Sequence, residues 1–102
     1  MKYKSRRWQD KRKAILARDN YTCQWFKRFG KQYEATHVHH IYPLEFYPEY
    51  AMCNWNLISL STKAHNMMHD RETHEITAIG KILQRKVQRE KEEFDKRRTP
   101  PS

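Results

Sequence analysis

Apolar positions recur at helical spacing near the start of the chain. Within SRRWQDKRKAILARD, residues 5–19, Trp8, Arg12, Ile15 and Leu16 fall near one face and charge covers the rest. That is the pattern of an amphipathic helix resting on a core, and Asn20 is a natural stop for it. From Tyr21 to Glu34, aromatic residues mix with Lys and Arg and no period dominates, although Gly30 marks a turn. The pattern changes at ATHVHHIY, residues 35–42, where β-branched and aromatic types closed by Pro43 predict a strand. PLEFYPEYAMCN then reads as a connecting loop, and NLISL, residues 56–60, as a second short apolar strand. Ser61 is placed to cap a helix running to about Arg71. From about Thr77 to Arg98 the stripe Ile79, Ile82, Leu83, Val87 and Phe94 predicts one long helix. Its second half, QREKEEFDKRR, is almost wholly charged and is expected to be solvated and frayed, with residues 99–102 a disordered tail.

These elements define an α+β chain. Residues 1–98 are expected to form a single domain, with a strand–loop–strand–helix core over about 35–71. An N-terminal helix and a long C-terminal helix, about 77–98, flank it. No internal repeat is present.

Composition sharpens this picture. With 102 residues, of which 37% are hydrophobic, the core is small, so aromatic packing, a metal or a partner must add to it. Lys and Arg number 21 against 12 Asp and Glu, a net charge of +9. A surface of this sign attracts phosphate backbones whatever the base sequence. It would also draw an anionic membrane, but no apolar run approaches the roughly 20 residues of a bilayer span. Because the charge accompanies a histidine cluster, nucleic acid is the expected partner and a membrane is not. The basic start MKYKSRR is followed by no apolar stretch, which differs from a secretory signal and points to the cytoplasm. Cys23 and Cys53 make no disulfide framework and are expected to be free thiols.

The histidines carry the chemistry. Five of the six lie between residues 37 and 69. His65 and His69, at i and i+4 on the expected helix, present two imidazoles on one face. On spacing alone such a pair is equally an exposed polar pair. The strand changes the balance, because antiparallel pairing of 35–42 with 56–60 and packing of the helix across it can bring His39 to the same place. Adjacent strand residues point to opposite faces, so His39 and His40 are expected to do different jobs. Phosphodiester hydrolysis has two jobs to fill: a base neutral near pH 7 and a Lewis acid. We assign His40 as base, and His39, His65 and His69 as ligands of one divalent ion. Three neutral nitrogens favour Mn, Ni, Co or Zn over Mg, without selecting among them. Asn56 can accept the second ring N–H of His40 and so aim it, or it can be a turn-ending Asn bonded to backbone. Arg71, within a turn of His69, and Lys63, Arg12, Arg18, Lys27 and Arg28 are candidate phosphate contacts that would position a duplex without reading its sequence.

With these residues in place the chain resembles the HNH endonucleases, particularly the small free-standing type of bacteriophages. The resemblance runs from about Trp8 to Gly80 through ILARDNYTCQ, ATHVHHIYP and NWNLISLSTKAHNMMHDR. The motif letters fall on His40, Asn56 and His65, which the resemblance marks as catalytic, with His39 and His69 in the accompanying ligand positions. It implies a ββα-metal (His-Me finger) fold and divalent-metal-dependent hydrolysis of DNA, by nicking or double-strand cleavage, to 3′-hydroxyl and 5′-phosphate ends. It also implies a setting in phage DNA packaging beside terminase or portal proteins, in the host bacterial cytoplasm. Many such enzymes hold a structural zinc with two CxxC pairs. Here the first pair keeps Cys23 but has Phe26, and the second becomes Ser61 and Ala64. No structural zinc is therefore expected, and Trp25, Phe26 and apolar neighbours are expected to fill its place. Loss of that staple leaves an alternative open, a catalytically inactive DNA- or terminase-binding module on a degenerate scaffold.

Overall fold

The computed structural model describes residues 5–98; the expected tail at 99–102 lies outside them. Helix α1, Arg6–Arg18, starts where expected because the Ser5 side chain accepts from the Trp8 N–H. It buries Trp8, Ile15 and Leu16. It ends as Asn20 and Tyr21 turn into the left-handed region, at φ of 54° and 53°. The ambiguous stretch that follows contains a single-turn helix, α2 (Gln24–Lys27), and Gly30 turns the chain at φ 76°.

Strands β1, His37–His40, and β2, Leu57–Leu60, pair antiparallel with His39 opposite Ile58 and His40 opposite Leu57. Both are shorter than expected: Asn56 belongs to a 3-10 turn, Asn54–Asn56, that leads into β2. A second 3-10 turn, Pro48–Tyr50, shapes the loop between the strands. The outer edge of β2 is covered by two side chains from the end of α1. Arg18 donates to the Leu57 carbonyl at 2.7 Å and Asp19 accepts from the Ser59 N–H at 3.0 Å, which removes free edge groups from a two-stranded sheet.

The alternation of strand side chains sorts the sheet into two faces. Leu57 packs with Trp8, Ile15 and Val38 against α1. On the other face Leu60 joins Cys23, Trp25, Ile41, Ala64, Met68 and Leu83 in the main core. Helix α3 supplies Ala64 to it. It spans Thr62–Asn66, stopping short of the expected end near Arg71. Thr77 explains the stop: its hydroxyl donates to the carbonyls of Met67 and Met68 at 2.7 and 3.1 Å, and its N–H to Met68 at 2.9 Å. Those carbonyls are thus taken by another segment, and His69 pairs in a β-bridge with Ile76 instead of continuing the helix.

The long C-terminal helix is two helices. Helix α4, Ala78–Lys86, is capped by Thr77 and ends at Val87 (φ −109°, ψ 11°); α5 runs Gln88–Arg98. The break lets α4 bury Leu83 in the main core while α5 swings Phe94 against Tyr50 and Trp55. The end expected to be solvated is therefore docked, although no α5 residue is fully buried.

Candidate active site

β1 separates its two central histidines by face. His40 lies on the α1 side, stacked on Trp8 with ring centroids 5.1 Å apart. His39 lies on the α3 side, its centroid 5.4 Å from that of His65 and 5.7 Å from that of His69. All four histidines nevertheless line one cavity of about 300 Å³, closed on another side by Pro43, Leu44 and Glu45. Glu45 was not anticipated. It lies in a loop with no periodicity, and a lone acid there carries no signal in the sequence.

The ring of His40 is fixed by backbone. Its Nε2 lies 3.1 Å from the Ala51 carbonyl. A carbonyl only accepts, so Nε2 carries the proton and Nδ1 of the neutral ring is the proton acceptor. Burial holds the His40 pKa below its usual value, against an opposing contribution from the Ala51 hydrogen bond. The expected Asn56–His40 bond is replaced by a different arrangement. Asn56 is fully buried; its Oδ1 accepts from Tyr42 N–H at 2.7 Å, and its Nδ2 donates to the carbonyls of Tyr42 (3.2 Å) and Tyr50 (3.3 Å). The amide ties together the two ends of the loop that carries Ala51, so it acts on His40 through backbone. Both Nδ2 hydrogens are thus committed to carbonyls, and the ring N–H that Oδ1 was expected to accept goes to the Ala51 carbonyl instead.

His39 is 4% exposed and its Nε2 is buried without a hydrogen-bond partner. Burial first, then His65, His69 and His40, hold its pKa down at about 3. An unprotonated ring with an orphaned buried nitrogen suits a metal ligand far better than a packing residue. His65 is held below its ordinary pKa by burial, His37 and His69, and His69 by burial and His74. Among the described residues, however, no three His, Cys, Asp or Glu side chains already converge on one point as a finished cage. The donor chemistry fits a divalent ion, and His39, His65 and His69 all line the cavity.

His37 was also missed as part of this cluster. Its ring stacks on His65 at 4.7 Å and 14°, and its Nδ1 lies 2.8 Å from the Thr36 hydroxyl.

The basic candidates are dispersed. Arg71 is exposed just beyond His69, and Lys63 is exposed on α3. Arg12 donates to the Thr36 carbonyl, and Arg18 is engaged by Asp19, Asn54 and Leu57. Arg18, Lys27 and Arg28 line a separate hollow of about 470 Å³ that contains none of the histidines.

The positions of the two family CxxC pairs come together in space. Cys23 is buried with Ala64, and Phe26 packs against the same cluster. Burial pushes the Cys23 thiol up, but hydrogen bonds involving Phe26, Ser61 and Trp25 outweigh it and leave the pKa below its ordinary value. Trp25 and Phe26 pack into this cluster as expected. Cys23 and Cys53 are both free thiols. Among the described residues no helix is long and apolar enough to cross a membrane.

No protein-family model matches the sequence, and no curated protein matches it. Among solved structures, the chain is similar to the HNH endonuclease of the deep-sea thermophilic bacteriophage GVE2, crystallised with a manganese ion. The two superpose with a TM-score of 0.62 and 32% sequence identity, over 90% of this chain and 80% of that one. The small α+β fold is similar to that of an HNH endonuclease. The chain belongs to the HNH endonuclease family.

Proposed function

We propose that this chain is a divalent-metal-dependent DNA endonuclease built on a single ββα-metal domain, in which His40 is the general base. The observation that carries the reading is the division of β1. His40 has its Nε2 committed to the Ala51 carbonyl, so the neutral ring carries its basic lone pair on Nδ1. His39 has an orphaned buried nitrogen on the other face. Both line the same cavity.

In this reading a scissile phosphate enters the cavity and Nδ1 of His40 deprotonates the attacking water. Its lowered pKa keeps the ring neutral and ready at pH 7. His39, His65 and His69 would hold a divalent ion, which supplies charge neutralisation at the phosphate and the leaving oxygen. Manganese in the related GVE2 structure, and the nitrogen donors here, both favour a transition metal over Mg. Bond cleavage leaves a 3′-hydroxyl and a 5′-phosphate. Asn56 holds the loop that aims His40, and Arg71 and Lys63, exposed near His69 and His65, hold the backbone in place. A place in phage DNA packaging is a further part of the proposal, resting on the family resemblance.

The test is conversion of supercoiled plasmid to nicked or linear form with Mn²⁺. The wild type should cut, and His40→Ala should lose on the order of 100-fold or more in rate while keeping its circular dichroism and DNA binding. Salt-sensitive DNA binding without cleavage under any divalent ion would instead identify a binding module on this scaffold.

A further inference from the structure

The carbonyl that fixes His40 belongs to a loop held from two directions. From inside, Asn56 bonds to backbone at Tyr42 and Tyr50. From outside, α5 grips the residue next to Ala51: the Tyr50 hydroxyl donates to Asp95 Oδ1 at 2.6 Å. Lys91 bonds the other Asp95 oxygen at 3.1 Å and lies over the Tyr42 and Tyr50 rings at 5.6 and 5.8 Å. Phe94 meets Tyr50 edge-on at 5.5 Å.

This patch explains an element that composition does not. Helix α5 has one apolar residue in eleven and no fully buried position, so hydrophobic burial gives it little reason to dock. Its attachment is centred on the loop around Tyr50, where Phe94 also meets Trp55 and Arg98 pairs with Glu49 at 3.5 Å. The tyrosine is itself 3% exposed, and its phenol is pushed up to about 12 by burial and the Asp95 bond, so it remains a donor throughout the neutral range.

We propose that Tyr50 and Asp95 are positioning residues for the reaction: α5 is a strut that, through the Tyr50–Asp95 hydrogen bond, holds the Ala51 carbonyl where it orients His40. This rests on the reading of His40 as the base. A loop shifted at residue 50 moves the carbonyl at 51, and His40 then loses the bond that selects its tautomer and aim. Small misplacements of this kind lower turnover more than substrate binding.

Two readouts on the full-length chain test it. The first is the ¹⁵N NMR signature of the His40 ring, which reports its tautomer without any cleavage. Asp95→Ala should convert the Nε2–H signature to a mixture, and Asp95→Asn, which retains an acceptor for the Tyr50 hydroxyl, should keep it. Arg89→Ala, at an exposed position of the same helix, should also keep it. The second is Mn²⁺-supported plasmid cleavage: Asp95→Ala and Tyr50→Phe should lower kcat at least about tenfold with KM within about twofold, and Asp95→Asn should restore it. An unchanged His40 signature in a folded Asp95→Ala protein overturns the strut, whatever the cleavage. An altered signature in a protein whose wild type never cuts DNA upholds the coupling and overturns the nuclease reading instead.

Discussion

Two neighbouring residues on one short strand meet different surroundings because a strand has two faces. His39 and His40 share a cavity, yet His40 is stacked on a tryptophan and tied to a carbonyl, while His39 has a nitrogen with nothing to bond. That division was legible in the sequence, since alternation requires only that the segment be a strand. The partner of His40 was not legible: a backbone carbonyl leaves no signature of residue type, so Asn56 was the natural candidate. The actual role of Asn56 gives a sharp prediction. Its Nδ2 donates to two carbonyls and its Oδ1 accepts from one N–H. Asn56→Asp keeps the accepting side but sets a carboxylate oxygen against the carbonyls of Tyr42 and Tyr50. It should therefore destabilise by about 2–4 kcal/mol, from lost hydrogen bonds and a buried charge. A change in the urea midpoint with unaltered slope would measure it. Near-wild-type stability would mean that the amide does not hold the loop.

At the scale of elements, the sequence located α1, both strands and the start of α3, because each has a local signal: a helical stripe, β-branched runs or a serine cap. It overran α3 and fused α4 with α5, because both breaks come from distant contacts. Thr77 captures the Met67 and Met68 carbonyls, and the turn at Val87 lets Phe94 reach Tyr50. Neither contact is encoded within a helical window, so a continuous apolar stripe hides the break. The same junction makes Gly80 unusual. In an exposed helix, replacing glycine with alanine stabilises by roughly 1 kcal/mol. Here an added methyl would lie 2.8 Å from the Met68 carbonyl and 2.4 Å from a side-chain carbon of Ile76. The Ile76 side chain can move; the carbonyl is held by Thr77. Gly80→Ala should therefore reverse the usual sign and destabilise by about 1–3 kcal/mol, read as a lower thermal midpoint. A raised midpoint would show that α4 shifts freely away from Met68.

For the whole molecule, the histidine cluster couples folding to protons and, in the proposed reading, to a metal. His39 falls from its ordinary 6.5 to about 3 in the fold, and His40, His65 and His69 are also held below their ordinary values. A group whose folded pKa is depressed contributes stability above its unfolded pKa and loses it as pH falls toward the folded one. For His39 that window runs from 6.5 to about 3, and the other three act in the same direction from the same upper limit. The protein's net charge of +9 adds to the effect, because each proton taken up on the folded state increases self-repulsion. Carboxylates such as Asp70 and Asp95, with pKa values held below the ordinary range, lose their contributions only at lower pH. The interval from pH 7 to about 5 therefore belongs mainly to the histidines. In EDTA the thermal midpoint should fall steadily across that interval. A divalent ion that binds the folded state should raise it at pH 7 by mass action, and the gain should shrink on acidification as protons compete for the same nitrogens. His39→Ala should abolish the Mn²⁺-dependent gain and flatten the pH dependence of the metal-free protein. Scanning calorimetry of both proteins at pH 7, 6 and 5, with and without Mn²⁺, separates the two effects. A wild-type midpoint in EDTA that does not move between pH 7 and 5 would contradict the buried, unprotonated state of His39, and an undiminished Mn²⁺ gain in His39→Ala would remove it from the ligand set.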